Sequence, residues 1–375
     1  MLAGNGRRTI RTATADACAS EPSAYCAVQL KDFVDSEEAL YRSALKCCKG
    51  VGWKYSTQVF LRHIIDRIVK LASDLKRGKY REGLTHVVNI TFPKVRTALA
   101  ISFRDRVRQR SLNDNALYPQ TVRHFIYANM ACQKGKGTDA ARQLFKAMMH
   151  RAFIKYGNTS GFQILACDVK GYYDSMRHNV TAAMFREYCD PWTAGEAMRT
   201  LDRQYKGDTG YNPGSQMVQI AGIAYLNKLD HYIKERMRRK IYIRYMDDFY
   251  IFGAPEEDMG AIRREIDSQL APLGMKLHVA KTLVKTGAHG VMFLGFKFVA
   301  TATGRVLMFR DPAKIKGNYR KLRRLARLVR RGKKSERRFD ASYQAIRSCA
   351  ELGDSKRLLR KMDSIYNNLK MEIAA

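Results

Sequence analysis

An α+β fold is predicted by three observations in this 375-residue chain. Apolar residues recur at helical spacing over long stretches, as at Phe60, Ile64, Ile68 and Leu71. Among them stand short runs of strand character: the β-branched, alternating HVVNITF (86–92), the apolar FQILACDV (162–169) and FLGFKFV (293–299). The third is IYIRYMDDFYIF (241–252), whose apolar arms fit a β-hairpin with Asp247 and Asp248 at its tip. The resulting order is strand, helices, strand, helix, hairpin, helix, strand, with no internal repeat and no long linker.

The elements follow in chain order. Residues 1–36 form an N-terminal extension, polar and small over 1–30 and expected to be loosely ordered. From Glu37 to about Lys76 the spacing predicts one or two helices. Further helices are expected over Arg104–Ala116, Asp139–Lys155, Met217–Lys240 and Met259–Leu270, and strands over 86–92, 162–169, near Leu283 and over 293–299. Beyond residue 300 lies KIKGNYRKLRRLARLVRRGKKSERR (314–338), in which 13 of 25 residues are Lys or Arg and one is Glu. Leu322, Leu325 and Val329 sit there at helical spacing, so a helix packed on one apolar stripe would keep its basic remainder for phosphates. A second helical region runs through LLRKMDSIYNNL (358–369).

Charge narrows the classes of function. With 68 Lys and Arg against 35 Asp and Glu, the net charge is +33, spread along the chain, and a polyanionic partner is expected. A merely soluble basic protein is the competing reading. No run of about 18 apolar residues exists for a membrane span, and the first 20 residues lack the apolar centre of a secretory signal, so a cytoplasmic protein is expected. The eight cysteines (Cys18, Cys26, Cys47, Cys48, Cys132, Cys167, Cys189, Cys349) show no zinc-ligand spacing, and reduced thiols are the default.

Two adjacent aspartates among apolar residues raise an energetic question. At about 4 Å and an effective dielectric of about 20, two unit charges repel by roughly 4 kcal/mol. Either the pair is a solvated turn or a cation offsets the cost. Asp168 also ends a strand; were the two strands neighbours, three carboxylates would converge. Hard oxygen ligands with open positions suit Mg²⁺, and two such ions would clamp the attacking and leaving oxygens of a phosphoryl transfer.

YMDD with its apolar arms resembles the catalytic hairpin of reverse transcriptases, the RNA-directed DNA polymerases, and other blocks of that family follow in order. FPKVRTALAISFRDRVRQRSL (92–112) resembles the block whose basic residues meet the triphosphate, and ACQKGKGTDAAR (131–142) a basic Gly-rich loop of bacterial members. CDVKGYYDSMRH (167–178) is similar to the first palm block, NPGSQMVQIAGIAYLNKLDHYI (212–233) to the glycine loop and long helix, HVAKT (278–282) to the lysine block and FLGF (293–296) to the primer grip. The resemblance spans about residues 50–300. It implies a right-hand polymerase with fingers and palm over 37–300 and a small helical, basic thumb over 301–375.

The resemblance also implies roles. Asp168, Asp247 and Asp248, with the Val169 carbonyl, would hold two Mg²⁺ ions; Lys281 would protonate the departing pyrophosphate. Lys94 and Arg96 would bind the triphosphate of the incoming deoxynucleotide, Tyr173 would be a steric gate against a ribose 2′-OH, and Gly214 and Gln219 would lie by the templating pair. Arg323, Arg327 and Arg330 would track nucleic acid. Core and solvated-surface roles compete for Tyr173 and for the cations.

In the glycine block Pro213 precedes Gly214 where many members have Gln, and Val218–Gln219 replaces Ser–Gln. This is similar to diversity-generating-retroelement enzymes and to phage-defence and unassigned bacterial groups. Within the 375 residues no segment is left for a ribonuclease H, integrase or endonuclease domain, and none is expected. The leading expectation is therefore an enzyme that copies or uses a dedicated noncoding RNA, making DNA, in anti-phage defence. Diversity generation is the second reading, and a nucleic-acid-binding protein with lost or subsidiary catalysis, acting through oligomers or RNA capture, the third; a homo-oligomer or a partner protein is allowed for, and Tyr173 argues against an RNA polymerase.

Overall fold

The computed structural model describes residues 24–91 and 95–374. Four helices open it: α1 (Ala24–Val34), α2 (Glu37–Cys48), α3 (Tyr55–Arg62) and α4 (Ile64–Lys76). α1 begins inside the stretch expected to be loose, because Val34 at its end is fully buried in the main core. Residues 37–76 hold three helices rather than one or two. Gly50, at φ +74°, turns the chain after α2, and His63 leaves helical geometry between α3 and α4. A two-stranded hairpin follows, β1 (His86–Ile90) on β2 (Arg96–Ala100). Then come α5 (Phe103–Leu112), a π-turn, α6 (Tyr118–Val122) and α7 (Thr138–Lys155).

The centre is built from β3 (Gln163–Asp168), α8 (Tyr172–Ser175), α9 (His178–Tyr188), α10 (Pro191–Gln204), α11 (Gln216–Tyr225), α12 (Asn227–His231), β4 (Tyr242–Tyr245), β5 (Asp248–Gly253), α13 (Met259–Leu270) and β6 (Leu283–Thr286). The expected single helix over Met217–Lys240 is broken at Leu226 and finishes in a π-turn at Arg236. FLGFKFV is likewise two strands, β7 (Val291–Phe293) and β8 (Phe296–Ala300). Leu294 and Gly295, at φ +45° and +82°, reverse the chain between them. β9 (Val306–Arg310) completes that sheet, and α14 (Pro312–Arg330), α15 (Glu336–Glu351) and α16 (Lys356–Ala374) complete the chain.

The central sheet has the order β4-β5-β3-β6, all neighbours antiparallel. Both faces are covered over β3, β4 and β5, so those strands are mostly apolar, whereas β6 at the edge is exposed. Phe249 and Ile251 of β5 enter a core with α9–α13, while Tyr250 and Phe252 enter a second core beneath α7. Phe145 of α7 is the hub of that second core, with ring centroids 4.5–5.7 Å from Phe293, Phe298, Tyr250 and Phe252.

The last three helices share a core of their own, among them Leu322, Ala326, Phe339, Tyr343 and Met362. The basic run is thus split: α14 stops at Arg330, and Gly332, at φ +67°, turns the chain before α15. Leu322 and Ala326 are the fully buried pair of α14, with Leu325 and Val329 half-buried beside them. This bundle is fastened to the β7-β8-β9 sheet twice. Asp311, which caps α14 by accepting from Ala313 N at 2.9 Å, donates its own N–H to Gly295 O at 3.3 Å. Asp354 exchanges two 2.7 Å bonds with the Met308 backbone. Among the described residues no helix is long and apolar enough to cross a membrane.

Candidate active site

The register of β3 on β5 sets Asp168 directly opposite Asp248, at the ends of both strands. Both belong to the set of alternate residues that includes Ala166 and Tyr250, and with them they line a cavity of about 620 Å³. Lys281, Lys285 and Lys297 outnumber the two aspartates among that cavity's charged residues. Phe293, Leu294 and Gly295 of FLGF form another part of its wall.

Lys281 reaches the site through a short backbone ladder. Lys170 N donates to Lys276 O and His278 N to Asp168 O, at 3.0 and 2.7 Å, pairing Val169 with Leu277. The turn after His278 then delivers the Lys281 ammonium to both oxygens of Asp168, at 3.2 and 3.0 Å. Val169 is buried in this bridge.

Asp247 occupies the hairpin turn after Met246, which stands at φ +60°. Burial, joined by the charge of Asp168, holds its carboxyl above the usual range, against its own backbone N–H and Lys281. The three aspartates do converge on one end of the sheet, yet among the described residues they do not form a closed three-ligand cluster, since Asp168 is turned onto Lys281. The donors at this end of the sheet are carboxylate oxygens, the ligand type a hard cation would take, and Asp168 here carries the Lys281 ammonium against both of its oxygens.

The other expected residues fall as follows. Tyr173, half-buried on α8, lies 5.5 Å from the Tyr172 ring, edge to face. Burial first, then the nearness of Cys132 and Asp247, pushes its hydroxyl pKa up. A Cβ at Gly214 would come 2.7 Å from Leu99 O, so the glycine lets β2 lie against the loop leading to α11. Gln219 is exposed in the first turn of α11. Arg96 begins β2 opposite Ile90. Lys94 lies outside the described residues. Arg323, Arg327 and Arg330 are exposed along one stripe of α14, remote in sequence from the carboxylates.

Two residues essential to the hairpin escaped the sequence reading. Arg244, fully buried, donates from Nε and Nη2 to the two oxygens of buried Asp230, at 2.7 and 2.6 Å. Nη2 also donates to Ile223 O, and Nη1 to Met246 O at 3.0 Å, which braces the turn carrying Asp247. Tyr242 OH donates to Asp230 as well, at 2.7 Å. A cation inside an otherwise apolar arm, with an aspartate in the preceding helix, was the available signal.

Facing carboxylates at the ends of antiparallel strands, a basic cleft beside them and a separate basic helical bundle define a template-directed nucleotidyltransferase of the right-hand type. The family model for reverse transcriptase (RNA-dependent DNA polymerase) matches residues 94–298, over half of the sequence, and the chain belongs to that family. It is an RNA-directed DNA polymerase with an α+β fold, taking a nucleic-acid template and making DNA. No curated protein matches it.

Proposed function

We propose that this enzyme joins deoxynucleotides to a primer on an RNA template with Asp168, Asp247 and Asp248 holding two Mg²⁺ ions. The register of Asp168 against Asp248, with Lys281 on Asp168, carries the proposal. When bound, the ions would polarise the reacting phosphate and neutralise developing charge. The protein's own part is positional. Arg244 and Asp230 hold the turn, Tyr173 walls the sugar, and Gly214 and Gln219 stand at the templating pair. Lys94 and Arg96 bind the triphosphate on the fingers, Arg as a fork and Lys as a point charge. Lys281 keeps a proton on Nζ at the mouth of the cleft for the pyrophosphate to take. Arg323, Arg327 and Arg330 follow the duplex backbone.

The test is primer extension on an RNA template. Asp247→Asn with Asp248→Asn should abolish incorporation while leaving the melting temperature at or above that of the parent, since burial and Asp168 already disfavour the Asp247 charge. A soluble variant with full activity would sink the metal-site reading.

The biological setting we propose is bacterial anti-phage defence, with a dedicated noncoding RNA as template or scaffold. Support comes from Pro213 before Gly214 and Val218–Gln219 in place of Ser–Gln. The same residues favour diversity generation as the second reading. Sequencing the RNA that co-purifies from cells, with plaque counts for the parent and the Asp247→Asn, Asp248→Asn enzyme, separates them. A bound structured RNA with activity-dependent protection supports defence, and a bound template repeat without protection supports diversity generation.

A further inference from the structure

Tyr173 does not stand free in the cleft; its ring rests on the backbone of α11. Gly222, buried in the middle of that helix, is the contact. A Cβ placed there would lie 3.0 Å from the Tyr173 hydroxyl oxygen, 3.1 Å from Cε1 and 3.3 Å from Cζ, closer than side chains ordinarily pack. Helix formation alone would prefer alanine at such a position by about 1 kcal/mol, so the glycine is retained against local preference. Tyr172 completes the arrangement from the other side. Its hydroxyl donates to the carbonyl of the same Gly222, and its ring meets that of Tyr173 edge to face. One glycine thus receives both tyrosines of α8, one through its absent side chain and one through its carbonyl.

We infer that Gly222, with Tyr172 as its clamp, is a specificity-determining position: it sets how deeply the Tyr173 ring seats against α11 and hence how much room is left for the sugar of the incoming nucleotide. The inference rests on the steric-gate reading of Tyr173. Asp247 and Cys132 lie close enough to bear on the ring's hydroxyl, and a ring pushed by a few tenths of an ångström is displaced away from α11, the side on which the sugar would sit. A methyl group at 222 therefore tightens the gate. Loss of the Tyr172 clamp loosens it.

The experiment is single-nucleotide incorporation by the full chain on an RNA template with a DNA primer, comparing kcat/KM for dGTP and GTP. Gly222→Ala should raise the preference for dGTP by roughly three- to tenfold, chiefly through the KM values, because small misplacements at a reacting centre are costly. Tyr172→Phe, a conservative change that keeps its ring, should lower the preference by about the same factor. In a Tyr173→Ala background, Gly222→Ala should leave the ratio unmoved, since no ring remains to be displaced.

A Tyr173→Ala enzyme that admits GTP, beside Gly222→Ala and Tyr172→Phe enzymes with the parental ratio, would overturn the role of Gly222 alone. A Tyr173→Ala enzyme with the parental ratio would instead overturn the gate itself. Should Gly222→Ala fail to fold, the Tyr172→Phe ratio decides the matter.

Discussion

At the scale of single residues, the costliest side chain near the chemistry is Arg244. It and Asp230 are both fully buried, so neither charge has water to fall back on. Arg244→Met should cost about 3–5 kcal/mol, because Asp230 is left as an uncompensated buried charge. Adding Asp230→Leu should recover much of that loss, a coupling that urea melts of the two single variants and the double variant would measure. Activity should not return with stability, as the brace on Met246 O is still missing. If the two losses simply add, the pair is not acting as a unit. Legibility at this scale followed exposure to pattern. Asp168, Asp247 and Asp248 stood out as carboxylates in apolar strands, whereas Arg244 in the same hairpin was masked by its apolar neighbours. Its partner Asp230, 14 residues earlier in the chain, becomes its neighbour only when β4 packs on α12. Gly222 was equally hidden, since its meaning depends on a ring 49 residues upstream.

Whole elements were read best where one periodicity ran unbroken. α13 spans the expected Met259–Leu270, and β3, β4 and β5 stand where apolar runs placed them. Where the backbone changes geometry mid-run, periodicity misled: the 217–240 helix divides at Leu226, and 293–299 turns at Leu294–Gly295. α9 and α10 were not anticipated, although Asp190–Pro191 was a readable start for α10: the Asp190 side chain accepts from Thr193 N, and Pro191 opens the helix. For α14 the structure sharpens an expectation. Arg323, Arg327 and Arg330 are exposed and do not pack the bundle, so replacing all three by Gln should change stability little. Template-primer binding should weaken for every sequence, and the slope of log K against log salt should become shallower by roughly 0.9 per lost phosphate contact on a duplex. An unchanged slope with an altered mass in solution would assign those arginines to an oligomer contact instead.

Across the whole molecule, the excess of positive charge and the mixed fold were both evident from composition and order, but the partition into separate cores was not. It depends on which faces meet: the α14–α16 bundle and, near the start of the chain, the α2–α5 helices each close a core that takes nothing from the sheets. Asp354 links that bundle to β9 through Met308 and, at 3.6 Å, to Lys146 of α7. Asp354→Ala should cost about 1 kcal/mol or less, because both side-chain contacts are partly exposed. Hydrogen exchange should quicken at Met308, while amides around Phe339 and Tyr343 keep their protection. Loss of protection throughout α15 would show that the bundle depends on this tie to fold. Fewer nucleotides added per binding event, measured with a trap for released enzyme, would place the tie in translocation.

The bundle's two fastenings have a mechanical consequence. Asp311 at Gly295 and Asp354 at Met308 are separated along the β7-β8-β9 sheet, and two points held on a body define a line. Two such ties would resist tumbling and sliding more than a swing about that line, like a door on two pins. Arg323, Arg327 and Arg330, about three, four and five turns beyond Asp311 along α14, would sweep arcs of increasing radius. The outermost grip on a duplex would therefore open first and close last.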